Sequence, residues 1–527
     1  MSGTGATGGT GGAGSGTDVS AGPAGLPPVL AGHDAASTAL IDGERRVTYG
    51  ELVDRIGRTA GGLRQRGVGR GGRVAVTASN TIDAVVAYLG VHAAGATAVM
   101  LNPRSPRAEL TARLQLTRAE LVVLGGPDVE LPDGLDVVRP RGAPAGDGAG
   151  PGVDAPELDG PPPPWEAADG DLATVLFTSG ATGAPHPVAL SHGNLAAVQR
   201  SQIRQAGDRL GPSSVALGSL PIAHVFGLNG TVATVLRAGG AVVLVDRFSP
   251  GATLDLIARQ GVDVVSAVPQ MWAAWVASDA RGDELSRVVR AVSSATHLPP
   301  TVSDAVRERF GVRVAGGYGL TESSGTILLD DLADPLPTTV GRPLDGVQLC
   351  LVDLDVVEAG IDPDLGPDLS EVEAELGDRG ELWVRGPSLF LGYLDDAAAT
   401  ARVTRHGWLR TGDVGVADDD DRITIVDRIK DVVIVSGFNV SPSEVEDVLV
   451  DHPSVGAALV VGEADERTGE RVVAFVTPAG GAPPEPEALI AHCRNRLARY
   501  KVPSRVVVSA ELPSTDGGKA VRHLLRD

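Results

Sequence analysis

The chain has 527 residues, and its 45 basic and 67 acidic residues give a formal charge of −22 at pH 7. This acidic balance argues against a general binder of nucleic acids or anionic membranes, because both need a basic surface field. The two cysteines, Cys350 and Cys493, are too few for a disulfide framework or a four-cysteine zinc site, and they predict a reduced, cytoplasmic location. No apolar run reaches the roughly 18 to 20 residues of a membrane span, so no integral membrane association is expected.

Residues 1–25 are almost entirely small and polar, which predicts a disordered, glycine-rich tail. From residue 26 to 428 the pattern predicts a large α/β domain of mostly parallel sheets, because helical and strand patterns alternate. In its first part we expect helices over 51–66, 84–94 and 107–116 and strands over 73–77, 96–101 and 121–124.

The region 132–164 is rich in Pro, Gly and Asp and is expected to be a surface connection outside the core. Alternation resumes over 172–314, and short strands from about residue 340 predict a small β-rich subdomain that carries an acidic, solvated loop at 358–378. Residues 429–527 predict a small, mobile α+β domain. Its expected strands are 432–436, 456–461, 471–477 and 505–508, and its expected helices are 443–450 and 486–497.

The sharpest local pattern is an apolar strand that runs into a loop of small and hydroxyl residues at 176–185. Small side chains let backbone N–H groups and hydroxyls come close to a polyphosphate. The loop lacks the Gly-Lys-Ser/Thr ending of a Walker motif. Taken alone, it fits a phosphate loop and an ordinary glycine turn equally well.

Further segments follow this loop in a fixed order along the chain. They are 185–194, 220–227, 316–322, 380–382, 392–393, 408–413, 427–431, 437–442, 500–503 and 513–519. With these segments, residues 26–527 resemble the adenylate-forming superfamily of acyl-CoA synthetases, peptide-synthetase adenylation domains and luciferases. The resemblance implies that a small-molecule carboxylic acid reacts with ATP to give an acyl-adenylate, which then passes to the thiol of coenzyme A.

The resemblance also implies roles for individual residues. Glu322 would hold Mg²⁺, Lys519 would bridge the α-phosphate and the carboxylate, and His224 would stand between the acyl pocket and the reacting group. Thr321 completes the set of implied catalytic positions. Tyr318 would lie against adenine and Asp413 would accept hydrogen bonds from ribose, but Tyr318 could equally be ordinary core and Glu322 part of a helix cap. The implied nucleotide and cofactor positions are Thr178, Ser179, Gly180, Ala181, Thr182, Gly183, Gly317, Tyr318, Gly319, Asp413, Arg428, Lys430 and Gly437.

Lysine use supports part of this assignment independently. Lys430, Lys501 and Lys519 are the only lysines, so arginine fills the other 42 of the 45 basic positions. A lysine kept against this bias indicates either a site that needs a compact, flexible ammonium group or chance retention at the surface. By resemblance, Lys430 is the pivot about which the small domain turns, and Gly437 then lines a thiol tunnel.

The chain departs from the family pattern at two places. The phosphate loop ends Pro185-His186-Pro187 where the family usually has Pro-Lys-Gly, which predicts weaker ATP binding or a slower first step. The segment 293–299 lacks the paired glycines that usually precede the acyl pocket.

Several acceptors and substrates stay open at this point. The segment 220–232 contains no Asp or Glu that could pair with the ammonium group of an amino-acid substrate, which favours an aliphatic or aryl carboxylic acid as the substrate. The sequence at 435–440 resembles fatty-acyl-CoA ligases and favours a medium- or long-chain fatty acid. The alternatives are an acyl-AMP ligase that loads an acyl or peptidyl carrier protein, and a catalytically impaired nucleotide- or acyl-binding relative.

Two other patterns are interpreted structurally. The acids of 418–421 indicate a solvated turn, because consecutive side chains point in different directions. Ser191 and His192 indicate a helix start, because no nucleophile elbow surrounds them.

Overall fold

A computed structural model describes residues 27–119, 121–126, 129–142, 156–179, 185–360, 366–436, 438–465, 467–480, 483–513 and 525. The predicted tail at 1–25 lies outside these residues. The fold is α/β, with a large amino-terminal part built on extended mixed sheets and a small carboxyl-terminal α+β part. This confirms the predicted fold class. The exact domain boundaries at 26, 340 and 428 stay predictions.

Helices lie close to the segments predicted at 51–66, 84–94, 107–116, 443–450 and 486–497. The described residues form twelve α-helices. They are α1 (Tyr49–Gln65), α2 (Ile82–Ala93), α3 (Arg107–Thr117), α4 (His192–Ala206), α5 (Thr234–Arg237), α6 (Pro250–Gln260), α7 (Pro269–Ala277), α8 (Pro300–Phe310), α9 (Leu354–Ala359), α10 (Ala397–Val403), α11 (Pro442–Val450) and α12 (Pro486–Arg494). The predicted helix start at Ser191 is confirmed, because its side chain accepts from the N–H of Asn194 in a capping box.

The strands are numbered in chain order. The first fifteen are β1 (Thr38–Asp42), β2 (Arg45–Thr48), β3 (Arg73–Thr77), β4 (Thr97–Leu101), β5 (Leu121–Leu124), β6 (Asp136–Pro140), β7 (Glu157–Leu158), β8 (Leu172–Ser179), β9 (Pro185–Ser191), β10 (Val215–Gly218), β11 (Ala241–Leu244), β12 (Val264–Ala267), β13 (Arg290–Ser293), β14 (Ala315–Leu320) and β15 (Gly325–Leu329). The others are β16 (Arg342–Pro343), β17 (Gln348–Asp353), β18 (Gly380–Arg385), β19 (Gly392–Tyr393), β20 (Thr404–Arg405), β21 (Trp408–Ala417), β22 (Ile423–Arg428), β23 (Val433–Val435), β24 (Phe438–Val440), β25 (Val455–Asp465), β26 (Gly469–Pro478) and β27 (Arg505–Val508).

These strands form four sheets. A nine-stranded sheet runs β16-β15-β14-β13-β12-β10-β11-β1-β2, and an eight-stranded sheet runs β19-β9-β8-β4-β3-β5-β6-β7. A five-stranded antiparallel sheet holds β17, β18, β20, β21 and β22, and the carboxyl-terminal sheet holds β23 to β27. The strands in the middle of the two large sheets pair in parallel, so their carboxyl ends meet at one edge, where α/β proteins bind ligands.

The structure corrects two expectations about loops. Within the expected surface connection 132–164, β6 pairs in parallel with β5 and fully buries Val138, so part of this region belongs to the core. Its Pro and Gly content concealed a strand that ends at Pro140. Within the expected solvated loop at 358–378, Leu369 is buried against Trp383 and Trp408. The turn predicted at 418–421 is confirmed, because all four acids are exposed between β21 and β22.

No helix among the described residues is long and apolar enough to cross a membrane.

Two histidines pack together beneath the start of α4. The ring centroids of His92 and His192 lie 4.9 Å apart, and the Nε2 atom of His92 lies 3.0 Å from the carbonyl oxygen of Ala173. Burial lowers the pKa of His192 to about 4, and burial followed by the charge of His192 holds the pKa of His92 well below its usual range. Both rings are therefore neutral in the folded protein.

This pair predicts a loss of stability in mild acid. A lowered histidine pKa contributes stability that is complete above the unfolded value of 6.5 and that falls as the pH drops toward the folded value. Between pH 7.5 and pH 5 we expect His192 alone to account for a loss of about 2 kcal/mol in the free energy of unfolding. Urea unfolding of the wild type and of His192→Gln at both pH values measures it. Equal pH dependence in the two proteins would contradict the assignment.

Candidate active site

Three predicted nucleotide positions meet where β14, β21 and β22 come together. The Tyr318 hydroxyl donates to Oδ2 of Asp413 at 2.6 Å, and the Nε atom of Arg428 lies 2.7 Å from Oδ1 of the same carboxylate. Asp413 is 2% exposed, so its charge depends on these two partners. The register of β21 and β22, which sets Asp413 opposite Arg428, brings this pair together.

The electrostatics fix the protonation states of these groups. Burial, assisted by the charge of Asp413, holds the pKa of the Tyr318 hydroxyl well above its usual range. Desolvation acts to lower the pKa of Arg428, but Asp413 and other nearby acidic groups raise it overall. Tyr318 is therefore a neutral donor and Arg428 a permanent cation. A carboxylate offers about four acceptor positions, so Asp413 keeps capacity for hydroxyl donors of a ligand.

Glu322 lies in a short 3₁₀ turn, Thr321–Ser323, directly after β14. Its Oε1 atom accepts a hydrogen bond of 2.9 Å from the Tyr393 hydroxyl, and its carbonyl oxygen accepts from the N–H of Phe390 at 2.8 Å. Burial, followed by the charge of Glu322, raises the pKa of Tyr393, so this hydroxyl also stays protonated. Glu322 and Thr321 are both partly exposed, which leaves the turn open to a ligand.

The turn that carries Glu322 is held by buried side chains. Ser324 has φ of 60°, a left-handed conformation that costs a non-glycine residue about 1 kcal/mol or more. Asn229, which is fully buried, donates to the Ser324 carbonyl at 2.8 Å, and the Ser324 hydroxyl donates to the Ser388 carbonyl at 2.8 Å. These bonds fix a conformation that the chain would otherwise leave.

The predicted phosphate loop joins two paired strands. In the β8–β9 hairpin Thr178 lies opposite His186, and Phe177 lies opposite Pro187. Thr178 is half-buried at the end of β8. The predicted positions Gly180, Ala181, Thr182 and Gly183 lie outside the described residues, and the side chain of Ser179 does as well.

The hairpin shows why Pro187 is tolerated. The Pro187 carbonyl accepts from the N–H of Leu394 at 2.8 Å, and the Ala189 carbonyl accepts from Leu391 at 2.8 Å. In a strand the N–H and C=O of one residue point to the same side, so the donor that proline lacks would face away from β8. Pro187 therefore does not remove a hydrogen bond from the β8–β9 ladder.

The predicted glycines of β14 have a structural explanation of their own. A Cβ atom on Gly319 would lie 2.0 Å from the carbonyl oxygen of Gly325 on β15, so no larger side chain fits there. At Gly317 a Cβ would meet Val292 at 3.3 Å, a tight contact with a neighbouring strand. Both positions flank Tyr318, and their nucleotide role stays a prediction.

The remaining predicted residues are divided between described and undescribed parts of the chain. His224 is half-buried just before a π-helix, Phe226–Ala233, and its carbonyl accepts from the N–H of Leu228. The backbone of Lys430 lies in a 3₁₀ turn, Ile429–Asp431, between β22 and β23. The Lys430 side chain, Gly437 and Lys519 lie outside what the structure describes, so their roles stay predictions.

Sequence reasoning missed two residues of this site. Tyr393 was noted only as part of a Gly-Tyr pair, and Asn229 was not singled out. Their contacts with the Glu322 turn span 71 and 95 residues along the chain, which local patterns do not reveal. A polar Asn within the apolar stretch after His224 was the one available signal for Asn229.

Sequence comparison places this chain in a family. The sequence profile of the AMP-binding enzyme family matches residues 30–394, and that of the AMP-binding enzyme C-terminal domain matches residues 444–519. A feruloyl-CoA synthase from an Amycolatopsis species is 33% identical over 491 residues, which cover 93% of this chain and 95% of that protein.

Solved structures agree with the sequence comparison. ATP-bound MatB from Rhodopseudomonas palustris aligns with a TM-score of 0.80 and 28% identity, covering 94% of this chain and 96% of its own. The amide bond synthetase McbA from Marinactinospora thermotolerans aligns with a TM-score of 0.80 and 30% identity, covering 94% and 97%.

Proposed function

The chain belongs to the AMP-binding enzyme family, as an ATP-dependent acid–thiol ligase of the acyl-CoA synthetase type, and we propose that its substrate is an aromatic carboxylic acid. The observation that carries the enzymatic part is the cluster of Tyr318, Asp413 and Arg428 beside the Glu322 turn. The cluster offers groups that can bind a nucleoside, and the adjacent Glu322 carboxylate can bind a cation that accompanies the phosphates.

In the first half-reaction the acid attacks the α-phosphate of ATP, and pyrophosphate leaves. Asp413 accepts hydrogen bonds from the ribose hydroxyls with the positions that Tyr318 and Arg428 leave open. Thr178 and the loop after it cradle the outgoing phosphates, and Lys519 neutralises the charge that builds up between phosphate and carboxylate. Positioning and charge supply the rate enhancement, since no protein group forms a covalent bond.

The residues present fit a magnesium ion. Mg²⁺ is usually bound by one or two carboxylates together with substrate phosphates, and Glu322 offers one carboxylate whose Oε2 atom has no hydrogen-bond partner among the described residues. No group of three or more His, Cys, Asp or Glu side chains in the described part of the chain could hold a metal without such help. When bound, the ion would offset the charge that develops on the phosphates.

In the second half-reaction the thiol of coenzyme A attacks the carbonyl carbon of the adenylate, and AMP leaves. Here the small carboxyl-terminal domain turns about Lys430 and brings Gly437 to the reacting carbonyl. His224, at the start of the π-helix, separates the acyl pocket from this reaction. A carrier-protein thiol in place of coenzyme A is the alternative acceptor for the same step.

Two observations favour an aromatic acid that carries polar substituents. Three relatives with 31–33% identity are named as a feruloyl-CoA synthase or as 4-coumarate–CoA ligases. In addition, the hydroxyls of Ser219, Ser293 and Thr296 are buried without hydrogen-bond partners among the described residues. They stand at the carboxyl ends of β10 and β13, the edge where a ligand is expected, and could bind ring substituents. The sequence-based preference for a medium- or long-chain fatty acid stays a prediction.

A product assay tests this proposal. Purified protein is incubated with ATP, Mg²⁺ and one acid at a time, chosen from hydroxycinnamic, benzoic and medium- and long-chain fatty acids, with coenzyme A as acceptor. We expect an acyl-CoA from a hydroxycinnamic or benzoic acid, identified by mass spectrometry. A fatty acyl-CoA as the only product would overturn the aromatic assignment. If an acyl-amide forms with an added amine and no acyl-CoA forms, the acceptor would be an amine, as in the reaction for which the amide bond synthetase McbA is named.

A further inference from the structure

Tyr393 is the only side chain among the described residues that donates a hydrogen bond to the Glu322 carboxylate. The bond joins the Tyr393 hydroxyl to Oε1 and is 2.9 Å long. Neither the nucleotide cluster around Asp413 nor the family resemblance assigned Tyr393 a role. The contact nevertheless determines which Glu322 oxygen is engaged and which remains for a ligand.

The backbone around Tyr393 is held on two sides. β19 pairs antiparallel with β9, which sets Tyr393 opposite Val188, and the N–H of Tyr393 donates to the Thr400 hydroxyl at 2.9 Å. The rings of Phe390 and Tyr393 pack nearly perpendicular to each other, with centroids 5.2 Å apart. These contacts fix the position of the Tyr393 ring and thereby hold its hydroxyl within hydrogen-bond distance of Glu322.

His186 covers the Tyr393 ring next to the phosphate loop. The two ring centroids lie 4.9 Å apart and the ring planes are tilted by 38°. His186 is the residue that replaces the usual lysine of the loop, so an aromatic ring here occupies a position expected to carry a charge. A centroid distance of this size lies in the range where aromatic rings attract each other, so the His186 ring supports the position of the Tyr393 ring.

We infer that Tyr393 is a positioning residue of the magnesium site, and that His186 acts in this chain through its ring, by holding Tyr393 against Glu322. The hydroxyl engages Oε1, which leaves Oε2 as the carboxylate oxygen for a ligand. This inference rests on the proposed function, because it takes Glu322 as the ligand of the magnesium that accompanies ATP.

Replacing Tyr393 by Phe removes the hydroxyl and keeps the ring. In calorimetric titrations with ATP and no acid, excess Mg²⁺ is expected to lower the Kd of the wild type for ATP. In Tyr393→Phe the factor by which Mg²⁺ lowers this Kd is expected to be about tenfold smaller. Binding in EDTA is expected to stay unchanged. In the exchange of pyrophosphate into ATP, the Mg²⁺ concentration for half-maximal rate should rise by a similar factor.

Tyr88→Phe is the matched control. Its hydroxyl is also buried and lies 3.2 Å from the Thr174 hydroxyl, in the core and without contact to the Glu322 turn. We expect Tyr88→Phe to keep the wild-type dependence on Mg²⁺. If the Tyr393 hydroxyl has only a structural role, its removal would lower the melting temperature, as in Tyr88→Phe, and neither variant would change the Mg²⁺ dependence.

Variants of His186 separate its ring from its charge. His186→Phe keeps a ring against Tyr393 and is expected to retain the wild-type Mg²⁺ dependence, whereas His186→Ala is expected to weaken it about threefold. Because the histidine acts through Tyr393, adding His186→Ala to Tyr393→Phe should cause no further change in that dependence. The two single variants, His186→Phe and His186→Ala, test the inference even if Tyr393→Phe fails to fold.

The outcomes distinguish this inference from the proposed function. An unchanged Mg²⁺ dependence in Tyr393→Phe, with the wild type active, overturns the positioning role alone. An additive effect of His186→Ala in the double variant overturns the part assigned to the histidine. A wild type that binds no ATP and shows no exchange overturns the proposed function and this inference with it.

Discussion

Replacing Glu322 by Gln is expected to slow acyl-adenylate formation by about 10² to 10³-fold. The glutamine keeps a carbonyl oxygen that can accept the Tyr393 hydroxyl, so the turn Thr321–Ser323 retains its contacts. What disappears is the negative charge that would hold a cation against the phosphates. The first turnover, followed by quenched-flow with saturating acid and ATP, measures the rate.

The same variant should show its defect in the chemical step and not in the fold. Glu322 is partly exposed and Asn229 still binds the Ser324 carbonyl, so the melting temperature should change by only a few degrees. A rate within twofold of the wild type would contradict the role of Glu322. A large drop in melting temperature would assign the residue to structure.

Replacing Lys519 by Ala is expected to reduce adenylation by about 10³-fold and to spare thioester formation. The family resemblance assigns Lys519 to the attack of the carboxylate on phosphorus, where two negative groups must approach each other. Once the adenylate exists, that repulsion is gone. Supplying a synthetic acyl-adenylate with coenzyme A should therefore restore product formation in Lys519→Ala to within a few-fold of the wild type.

Lys501→Ala is the matched control for this experiment. Its ammonium lies 2.7 Å from both carboxylate oxygens of Glu444, which fixes the start of α11 to the 3₁₀ turn Arg499–Lys501. This ion pair accounts for the lysine without a catalytic role. We expect both half-reactions to persist in Lys501→Ala. Equal reductions of the adenylation rate in Lys501→Ala and Lys519→Ala would contradict a specific role of Lys519.

Much of the architecture could be predicted because it depends on local patterns. The helix predicted over 107–116 is found at Arg107–Thr117, and the strand predicted over 73–77 has those bounds. The cap at Ser191 follows from side-chain chemistry within four residues. The family resemblance could be recognised because its segments keep their order along the chain, and the sequence comparisons confirm it.

The features that were missed depend on pairing across long stretches of chain. β6 is a strand because β5 supplies its partner, and nothing in the composition around Pro140 indicates that neighbour. The expected weaker ATP binding or slower first step stays a prediction, but the side of β9 that the missing donor of Pro187 would face depends on the pairing of β9 with β8 and β19. The role of Tyr393 required the position of Glu322, which only the folded chain supplies.

The most direct test of the central claim is the exchange of labelled pyrophosphate into ATP by the purified protein across a panel of carboxylic acids. We expect exchange that requires Mg²⁺, that occurs with one class of acid, and that is lost in Lys519→Ala. No exchange with any acid, at protein concentrations where ATP binding is demonstrated, would contradict adenylation and identify the chain as a nucleotide-binding relative without this activity.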